Sequence, residues 1–413
     1  MPAGEHLSAP LCHSLVPHTI MQLFIILISL ALFVAYAILI FYYRSAWLSI
    51  PDHVHPVNLA GNTQPVNITV IVPARNEATR LPALLESLSA QLYDKKSFEV
   101  IVVDDHSTDN TSAVVGQFTS GNTRLIRLSD HILEPGINAY KKKAIEVAIA
   151  QSSGELIVTT DADCIVPPFW LQTISSCYAT QHPAFIVMPV MYTSQNSFLG
   201  IFQSLDFMTL QGITGAAVHH NAHSMCNGAN LAYSRKAFES VEGFKGINHI
   251  ASGDDMLLMH KIYKSFPRDI RYLKSKEVIV ETEPMQSWKA FINQRIRWAS
   301  KADRYDDKRI FAVLLLVYCL NLLMFVLPLL TLFYNPAIQF TNFNFSLLGF
   351  WGSLLILKTL VELYFLYPVA VFFGKRHLLW FFPVAQPVHI LYTLIAGWLG
   401  KFGSYEWKER KVK

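Results

Sequence analysis

The sequence predicts an α/β domain with a mixed, mainly parallel sheet, flanked by transmembrane helices. Three observations carry this reading: long apolar stretches near both ends, strand-like runs that alternate with helical ones between them, and aspartates that recur where those strands end. The 413 residues are 52% hydrophobic and only 15% charged, which is too apolar for a purely soluble enzyme.

Residues Ile20 to Tyr43 carry no formally charged side chain and exceed the roughly 20 residues that cross a bilayer. No Lys or Arg precedes this run and no small-residue cleavage pattern follows it, so a retained anchor is expected rather than a signal peptide. Phe311 to Phe333, Leu347 to Phe373 and Leu378 to Leu399 are further apolar stretches, whereas Ser45 to Lys308 has ordinary soluble composition. The chain therefore divides into an anchored N-terminal region (1–44), a globular domain (45–309) and a C-terminal membrane region with a basic tail (310–413). Arg44, Lys308 and Arg309 flank the globular part, which the positive-inside rule places in the cytoplasm together with the loop at Lys375 and Arg376. A third C-terminal crossing would put the tail from Lys408 to Lys413 outside. Pro383 and Pro387 interrupt that last stretch, so a spanning and a re-entrant or interfacial form both stand.

Within the globular part, Asn67 to Val72 alternates β-branched residues and stops at Pro73. A loop, Ala74 to Glu77, leads to a helix with Leu81, Leu84, Leu85 and Leu88 on one face. Phe98 to Val103 is a second strand ending at Asp104 and Asp105, followed by a turn in which Ser107 or Thr108 can cap the next helix. Arg124 to Leu128, a helix from about Lys141 to Ala150, and Leu156 to Thr160 complete the alternation. Cys12, Cys164, Cys177, Cys226 and Cys319 are scattered without paired spacing, which points to neither a disulfide framework nor a zinc site. The net charge of +4 is modest. Its basic clusters flank the apolar segments, so anionic lipid is the expected partner and nucleic acid is not.

The last strand ends in GELIVTTDADC, Gly154 to Cys164. In an extended segment, Asp161 and Asp163 point to one side while Ala162 leaves room for close backbone approach. Magnesium takes one or two protein carboxylates and completes its shell with water and phosphate oxygens, so this pair suits a metal-bound diphosphate. Three polar clusters thus lie at strand ends, at Pro73 to Glu77, at Asp104 with Asp105, and at Asp161 with Asp163. In an open α/β sheet such ends converge on one crevice, which predicts a nucleotide pocket.

With the segments VIVPARNE, IVVDDHSTDNT, TTDADC, NGANLAYSRKAF, SGDDMLL and QRIRW in this order, the chain from Thr69 to Trp298 resembles a family 2 glycosyltransferase. The resemblance extends to polysaccharide synthase-type members that carry a QxxRW motif. It implies the GT-A fold, a Rossmann-like domain that binds nucleotide sugars. By this resemblance Pro73, Asn76 and Glu77 line the nucleoside side, Asp104 or Asp105 contacts base or ribose, and Asp161 with Asp163 holds Mg2+ or Mn2+ on the diphosphate. Lys141 is the lysine implied to reach the phosphates, although the glycine that often precedes it is Tyr140 here. For Lys141, Lys142 and Lys143 together, a solvated charge run is expected for at least two of the three.

Gly228 and Asn230 of CNGANLAY correspond to a segment bordering acceptor and donor sugar, with an ordinary turn as the alternative. Asp255 falls on the implied base position; Asp254, where the family usually has Glu, serves the helix dipole or a positioning role. Gln294 and Arg297 share a helical face, Arg297 can bind phosphate, and Trp298 offers an aromatic wall. Trp288, Phe291, Ile292 and Arg295 read as the face of an amphipathic helix lying on the membrane. Lys358 and Glu362, four apart in an apolar stretch, form either a functional intramembrane pair or a self-neutralised one.

The resemblance implies a bacterial inner- or plasma-membrane enzyme that inverts a sugar from a nucleotide donor, expected to be uridine diphosphate-linked, onto a lipid-linked or saccharide acceptor. A processive polysaccharide synthase coupled to export is the rival within enzymes. A noncatalytic nucleotide-binding scaffold is the rival of another class.

Overall fold

The structure is a computed structural model that describes residues 15–53, 65–119, 121–132, 139–193, 196–250, 253–301, 307–333, 337–340, 343–402, 405–407 and 410–412. Its centre is a seven-stranded sheet. The strands are β1 (Ile68–Ala74), β2 (Phe98–Asp104), β3 (Thr123–Arg127), β4 (Leu156–Thr159), β6 (Phe185–Val187), β8 (Leu231–Ser234) and β9 (Ile270–Tyr272), in the order β3-β2-β1-β4-β8-β6-β9. Neighbours from β3 through β4 run parallel, β8 is antiparallel to both its neighbours, and β6 and β9 are parallel again. A smaller sheet joins β5 (Cys164–Ile165), β10 (Val280–Thr282) and β7 (Val190–Tyr192).

The central strands are apolar throughout because both faces are covered. Ile71, Ile101, Val103 and Ile157 point into one core with Ala144, Ile145 and Ala148 of α4 (Tyr140–Ala150). Val70, Val72, Val100, Val102 and Val158 point into the other, with Leu81, Leu84, Leu85 and Leu88 of α2 (Leu81–Ser89) and Trp170, Leu171 and Ile174 of α5 (Trp170–Gln181). β1 does not stop at Pro73 but continues to Ala74. β4 pairs with β1 only as far as Ile71, so Pro73 lies where β1 has lost one neighbour and a missing N–H is tolerated.

The first core runs without a break into long helices. Tyr36, Tyr43 and Trp47 of α1 (Leu15–Ser49) and Phe365, Leu366 and Val369 of α11 (Leu347–Phe372) pack with Phe202, Leu205 and Met208 of α6 (Phe198–His219). Among the described residues, four helices are long and apolar enough to cross a membrane: Met21–Ser49, Lys308–Thr331 (α10), Leu347–Phe372 and Arg376–Phe402, the last containing α12 (Phe382–Phe402). Pro383 falls in the first turn of α12, where its missing N–H costs nothing, and only Pro387 is interior. The tail residues Lys408, Glu409 and Lys413 lie outside the described set.

α12 follows α9 (Trp288–Ala299) in step. Phe291 meets Tyr392 edge-on at 5.3 Å, and a Cβ on Gly400 would sit 2.7 Å from the Cβ of Ala299. At the other end of this stretch, Lys375 is buried and donates to the Tyr192 carbonyl of β7. Both ends are thereby held against the globular domain.

Lys358 and Glu362 are buried and ion-paired at 2.6 Å. Lys358 also donates to Gln386 Oε1 at 2.9 Å, Gln386 donates to Glu362 Oε2 at 2.5 Å, and the Tyr36 hydroxyl donates to Glu362 Oε1. Three helices, α1, α11 and α12, are joined through one closed set of partners. Lys358→Met should therefore cost about 3–5 kcal/mol by stranding the Glu362 carboxylate, while Lys358→Met with Glu362→Met should cost far less than the sum of the singles. Thermal unfolding of detergent-solubilised protein measures both.

Candidate functional site

The carboxyl ends of β1 and β2 meet because Ala74 is in register with Asp104. Asn76 adopts a left-handed conformation, φ 52°, which Asn tolerates better than most residues. Its backbone N–H donates to Ser107 Oγ at 3.0 Å, and its Oδ1 accepts from the Thr108 N–H at 2.8 Å. Ser107 and Thr108 are thus committed to Asn76. The start of α3 (Thr111–Gly116) is instead tied by Asp109, whose Oδ1 accepts from the Thr111 N–H at 3.0 Å. Asp104 is turned inward, accepting from the Ser107 N–H at 3.0 Å and from the Ser112 hydroxyl. Asp105 is buried against His106 Nδ1 at 3.0 Å and Arg75 at 4.0 Å. Glu77 is buried, with its N–H on Thr111 Oγ1 at 2.9 Å.

β4 ends at Thr159, and Asp161 to Cys164 form a turn closed by a 3.2 Å bond from the Cys164 N–H to the Asp161 carbonyl. The alternation expected of an extended segment therefore does not apply. Ala162 is buried, whereas Asp161 and Asp163 remain partly exposed.

Lys141 Nζ lies 2.7 Å from Asp161 Oδ1 and 3.0 Å from Asp254 Oδ2. Burial alone would lower the Lys141 pKa, but the two carboxylates outweigh it and hold the ammonium above its ordinary value. Burial likewise pushes Asp254 up, and Lys141 outweighs that to keep it below the usual carboxylate range. A Cβ on Gly228 would lie 3.3 Å from Lys141 Nζ and 3.4 Å from Asp254 Oδ2, so a larger residue would crowd the pair. The neighbouring Asp255 is the N-cap of α8 (Met256–Ser265). It accepts from the Met256 N–H at 2.7 Å through Oδ1 and from the Gly228 N–H at 3.2 Å through Oδ2. Five predicted residues, Lys141, Asp161, Gly228, Asp254 and Asp255, thus meet in one place.

The expected solvated lysine run holds only for Lys143. Lys142 is buried and donates to the carbonyls of Ile247 at 3.0 Å and Ile250 at 2.6 Å, because its side of α4 faces that loop. Asn230 sits inside the packing: its amide donates to Pro189 and Val278 carbonyls at 2.8 and 2.7 Å, and its oxygen accepts from Trp170 Nε1 at 3.0 Å. It braces the turn that carries Gly228.

The largest departure concerns Arg295, expected on a membrane-facing surface. It is buried and pairs with Asp206 of α6 through two nitrogens, at 3.1 and 2.7 Å, while stacking over Phe291 and Trp298 at 4.6 and 4.3 Å. Phe291 is fully buried too, because the other side of α9 is covered by α6 and α12. Arg295 also donates to Gln294 Oε1 at 2.9 Å, an oxygen that the Tyr192 hydroxyl reaches at 3.4 Å. Asp206 additionally accepts from the Tyr392 hydroxyl at 2.5 Å and faces His389 at 3.5 Å. Asp206, Tyr192, His389 and Tyr392 escaped sequence reasoning. Only Asp206, a lone acid in an apolar helix, carried a signal.

Asp161 and Asp163 offer two accessible hard-oxygen donors on one turn, which fits a magnesium-type seat completed by water and phosphate. No group of three or more His, Cys, Asp or Glu able to hold an ion occurs among the described residues. Cys164, Cys177, Cys226 and Cys319 are free thiols, and Cys12 lies outside the described set.

The chain matches the glycosyl transferase family 2 description over residues 69–242 and the glycosyl transferase family group 2 description over residues 156–399. It belongs to the family 2 glycosyltransferases. Glycosyltransferase AglE of Haloferax volcanii is 28% identical over 190 residues, 46% of this chain and 59% of that protein. A dolichyl-phosphate beta-glucosyltransferase of Dictyostelium discoideum is 33% identical over 119 residues, 26% of this chain and 34% of that protein. The chain thus spans less than two thirds of the length of either relative. A mannosyltransferase from Pyrobaculum calidifontis, solved with GDP-Man and Mn2+, superposes with a TM-score of 0.53 at 21% identity over 89% of this chain and 99% of that one. The shared fold is GT-A.

Burial raises the Asp206 carboxyl, but Arg295 outweighs it and the pKa falls to about 2. A depressed pKa contributes stability above the unfolded value and loses it as pH falls through the folded one. The melting advantage of wild type over Asp206→Asn should hold steady from neutral pH to about 5 and shrink between about pH 4 and 2. Calorimetry across that range measures it.

Proposed function

We propose that this chain is a membrane-anchored glycosyltransferase that moves a sugar from a nucleotide-sugar donor, uridine diphosphate-linked, to a lipid-linked or saccharide acceptor at the cytoplasmic face. The observation that carries this reading is the convergence of Lys141, Asp161, Asp254, Asp255 and Gly228. It joins the strand end suited to a diphosphate to a carboxylate suited to a base. The dolichyl-phosphate relative supports the lipid-linked choice.

In this reading Pro73, Asn76, Glu77, Asp104 and Asp105 enclose the nucleoside, with Asp104 and Asp105 acting largely by holding the loop. Asp161 and Asp163 hold Mg2+ or Mn2+, which when bound neutralises charge on the departing diphosphate. Lys141 supplies a fixed positive charge beside it. Asp255, oriented by two backbone N–H groups, takes the proton of the acceptor hydroxyl as its oxygen attacks the anomeric carbon and the bond to diphosphate breaks. Attack from the face opposite the leaving group inverts the anomeric centre. Gln294, Arg297 and Trp298 form the wall toward the membrane, with Arg295 and Asp206 positioning them.

The domain division and topology follow the same reading: anchor 1–44, globular domain 45–309, membrane region 310–413. With both ends of the last apolar stretch held against the globular domain and Gln386 reaching Lys358 and Glu362 midway along α11, that stretch is re-entrant and the basic tail stays on the cytoplasmic side. Three crossings then remain, at α1, α10 and α11.

Purified protein supplied with UDP- and GDP-sugars should release nucleotide only with Mn2+ or Mg2+, and Asp161→Asn with Asp163→Asn should abolish that release. Asp255→Asn should keep donor affinity while turnover falls about 100-fold or more. Nucleotide release and calorimetric binding report these effects. Donor turnover that survives loss of both carboxylates would refute the metal assignment, and no turnover with any donor would favour a scaffold.

A further inference from the structure

We propose that Asp307, the cap residue of α10, is a positioning residue for the base, holding the turn whose Gly228 N–H fixes the Asp255 carboxylate. This rests on the glycosyl-transfer reading above and gives α10 a part in it. Asp255 is held from two sides. Its Oδ1 accepts from the Met256 N–H of its own helix at 2.7 Å, and its Oδ2 accepts from the Gly228 N–H at 3.2 Å. The second bond sets how the carboxylate is turned, so whatever holds Gly228 also holds the base.

Downstream of Gly228, Asn230 braces the turn through buried bonds to Pro189 and Val278. Upstream, the chain leaves α6, reverses at Asn221 with φ 50°, and meets three other helices in quick succession. The Asn221 carbonyl accepts from Arg309 of α10 at 2.9 Å, and His223 Nε2 lies 2.8 Å from the Tyr43 hydroxyl of α1. Ser224 Oγ then lies 3.3 Å from His260 Nδ1 of α8, while the Ser224 N–H donates to Asp307 Oδ2 at 3.2 Å. The stretch from Ser224 to Gly228 is therefore fastened to α8 at both ends, at His260 and at Asp255. Asp307 fastens the first of these ends to α10, an apolar helix long enough to cross a membrane.

The Asp307 carboxylate does more than cap a helix. It is buried, and its oxygens are divided between two tasks. Oδ1 accepts from the Arg309 N–H at 3.1 Å and from Arg309 Nε at 2.8 Å, whereas Oδ2 takes a second guanidinium nitrogen at 2.8 Å together with the Ser224 N–H. Burial raises the carboxyl, but the bonds from the Arg309 side chain and the Ser224 N–H outweigh it and bring the pKa to about 2. The group is therefore charged at neutral pH. A helix cap needs one oxygen. The other, turned toward Ser224, is what capping does not explain, and an ionised acceptor makes that bond stronger than a neutral one would.

The test uses full-length protein in nanodiscs as wild type, Asp307→Ser, Asp307→Asn, Asp255→Asn, and each Asp307 variant combined with Asp255→Asn. Serine and asparagine both keep a cap for α10, but each has one acceptor oxygen to divide between Arg309 and Ser224. Hydrolysis of UDP- and GDP-sugars with Mn2+, water standing for the acceptor hydroxyl, gives turnover, and calorimetry with UDP and GDP gives affinity and stoichiometry. Each Asp307 variant should lower turnover about tenfold, a loss that a displacement of an ångström or less can produce. Nucleotide affinity and stoichiometry should stay within about twofold of wild type. In the Asp255→Asn background the same changes should cost less than about twofold, because residues that act as a unit are not additive. Unchanged turnover in both Asp307 variants overturns the proposal. So does an undiminished loss in the Asp255→Asn background, or a drop in stoichiometry in both variants that matches the lost turnover. Wild-type turnover leaves the glycosyl-transfer reading standing in each of these cases, whereas wild type that turns over no donor overturns both.

Discussion

The ammonium of Lys141, held between Asp161 and Asp254, is the contact that makes one site out of three distant pieces of chain. α4 brings the lysine, the turn after β4 brings the first carboxylate, and the residue before the α8 cap brings the second. Burial works against the charges of Lys141 and Asp254, and the attraction between cation and carboxylates outweighs it on both sides. Gly228 belongs to the same contact, because its missing side chain leaves room for the lysine and its N–H orients Asp255. Asn230, two residues on, braces that turn through three buried hydrogen bonds.

A second buried charge pair ties this site to the membrane helices. Asp206 and Arg295 sit at the crossing of α6, α9 and α12, with Tyr392 and His389 completing the acid's surroundings. A buried ion pair contributes little net stability over an apolar substitute, so geometry is its more plain consequence. Arg295 lies over Trp298 and holds Gln294, which gives the QxxRW segment its orientation. The closed set of Tyr36, Lys358, Glu362 and Gln386 plays the corresponding part deeper in the bundle.

Much of the fold was legible in local pattern. Apolar runs of four to seven residues alternating with amphipathic helices predicted the parallel half of the sheet, and the leucines of α2 lie on the buried face expected of them. The misreadings share one cause. Pro73 looked like a strand end, yet the length of β4 decides that its N–H is not needed. Asp161 and Asp163 looked like an extended pair, yet the bond from Cys164 makes them a turn. Lys142 and Arg295 looked like surface charges, yet each has its partner about 90 to 110 residues away.

The sequence by itself determined the strands and helices of the parallel half of the sheet and the apolar stretches, because hydrophobic periodicity and chain-local turn chemistry act over a few residues. It also marked the acidic strand ends, since a parallel βαβ order brings such ends to one edge. Only the tertiary structure decided which charges are neutralised by which. Coulombic pairing depends on separation in space, so whether Lys141, Lys142 and Arg295 meet a carboxylate or a carbonyl is set by how the elements pack. That assignment separates the lysine that closes the site from the one that only holds a loop.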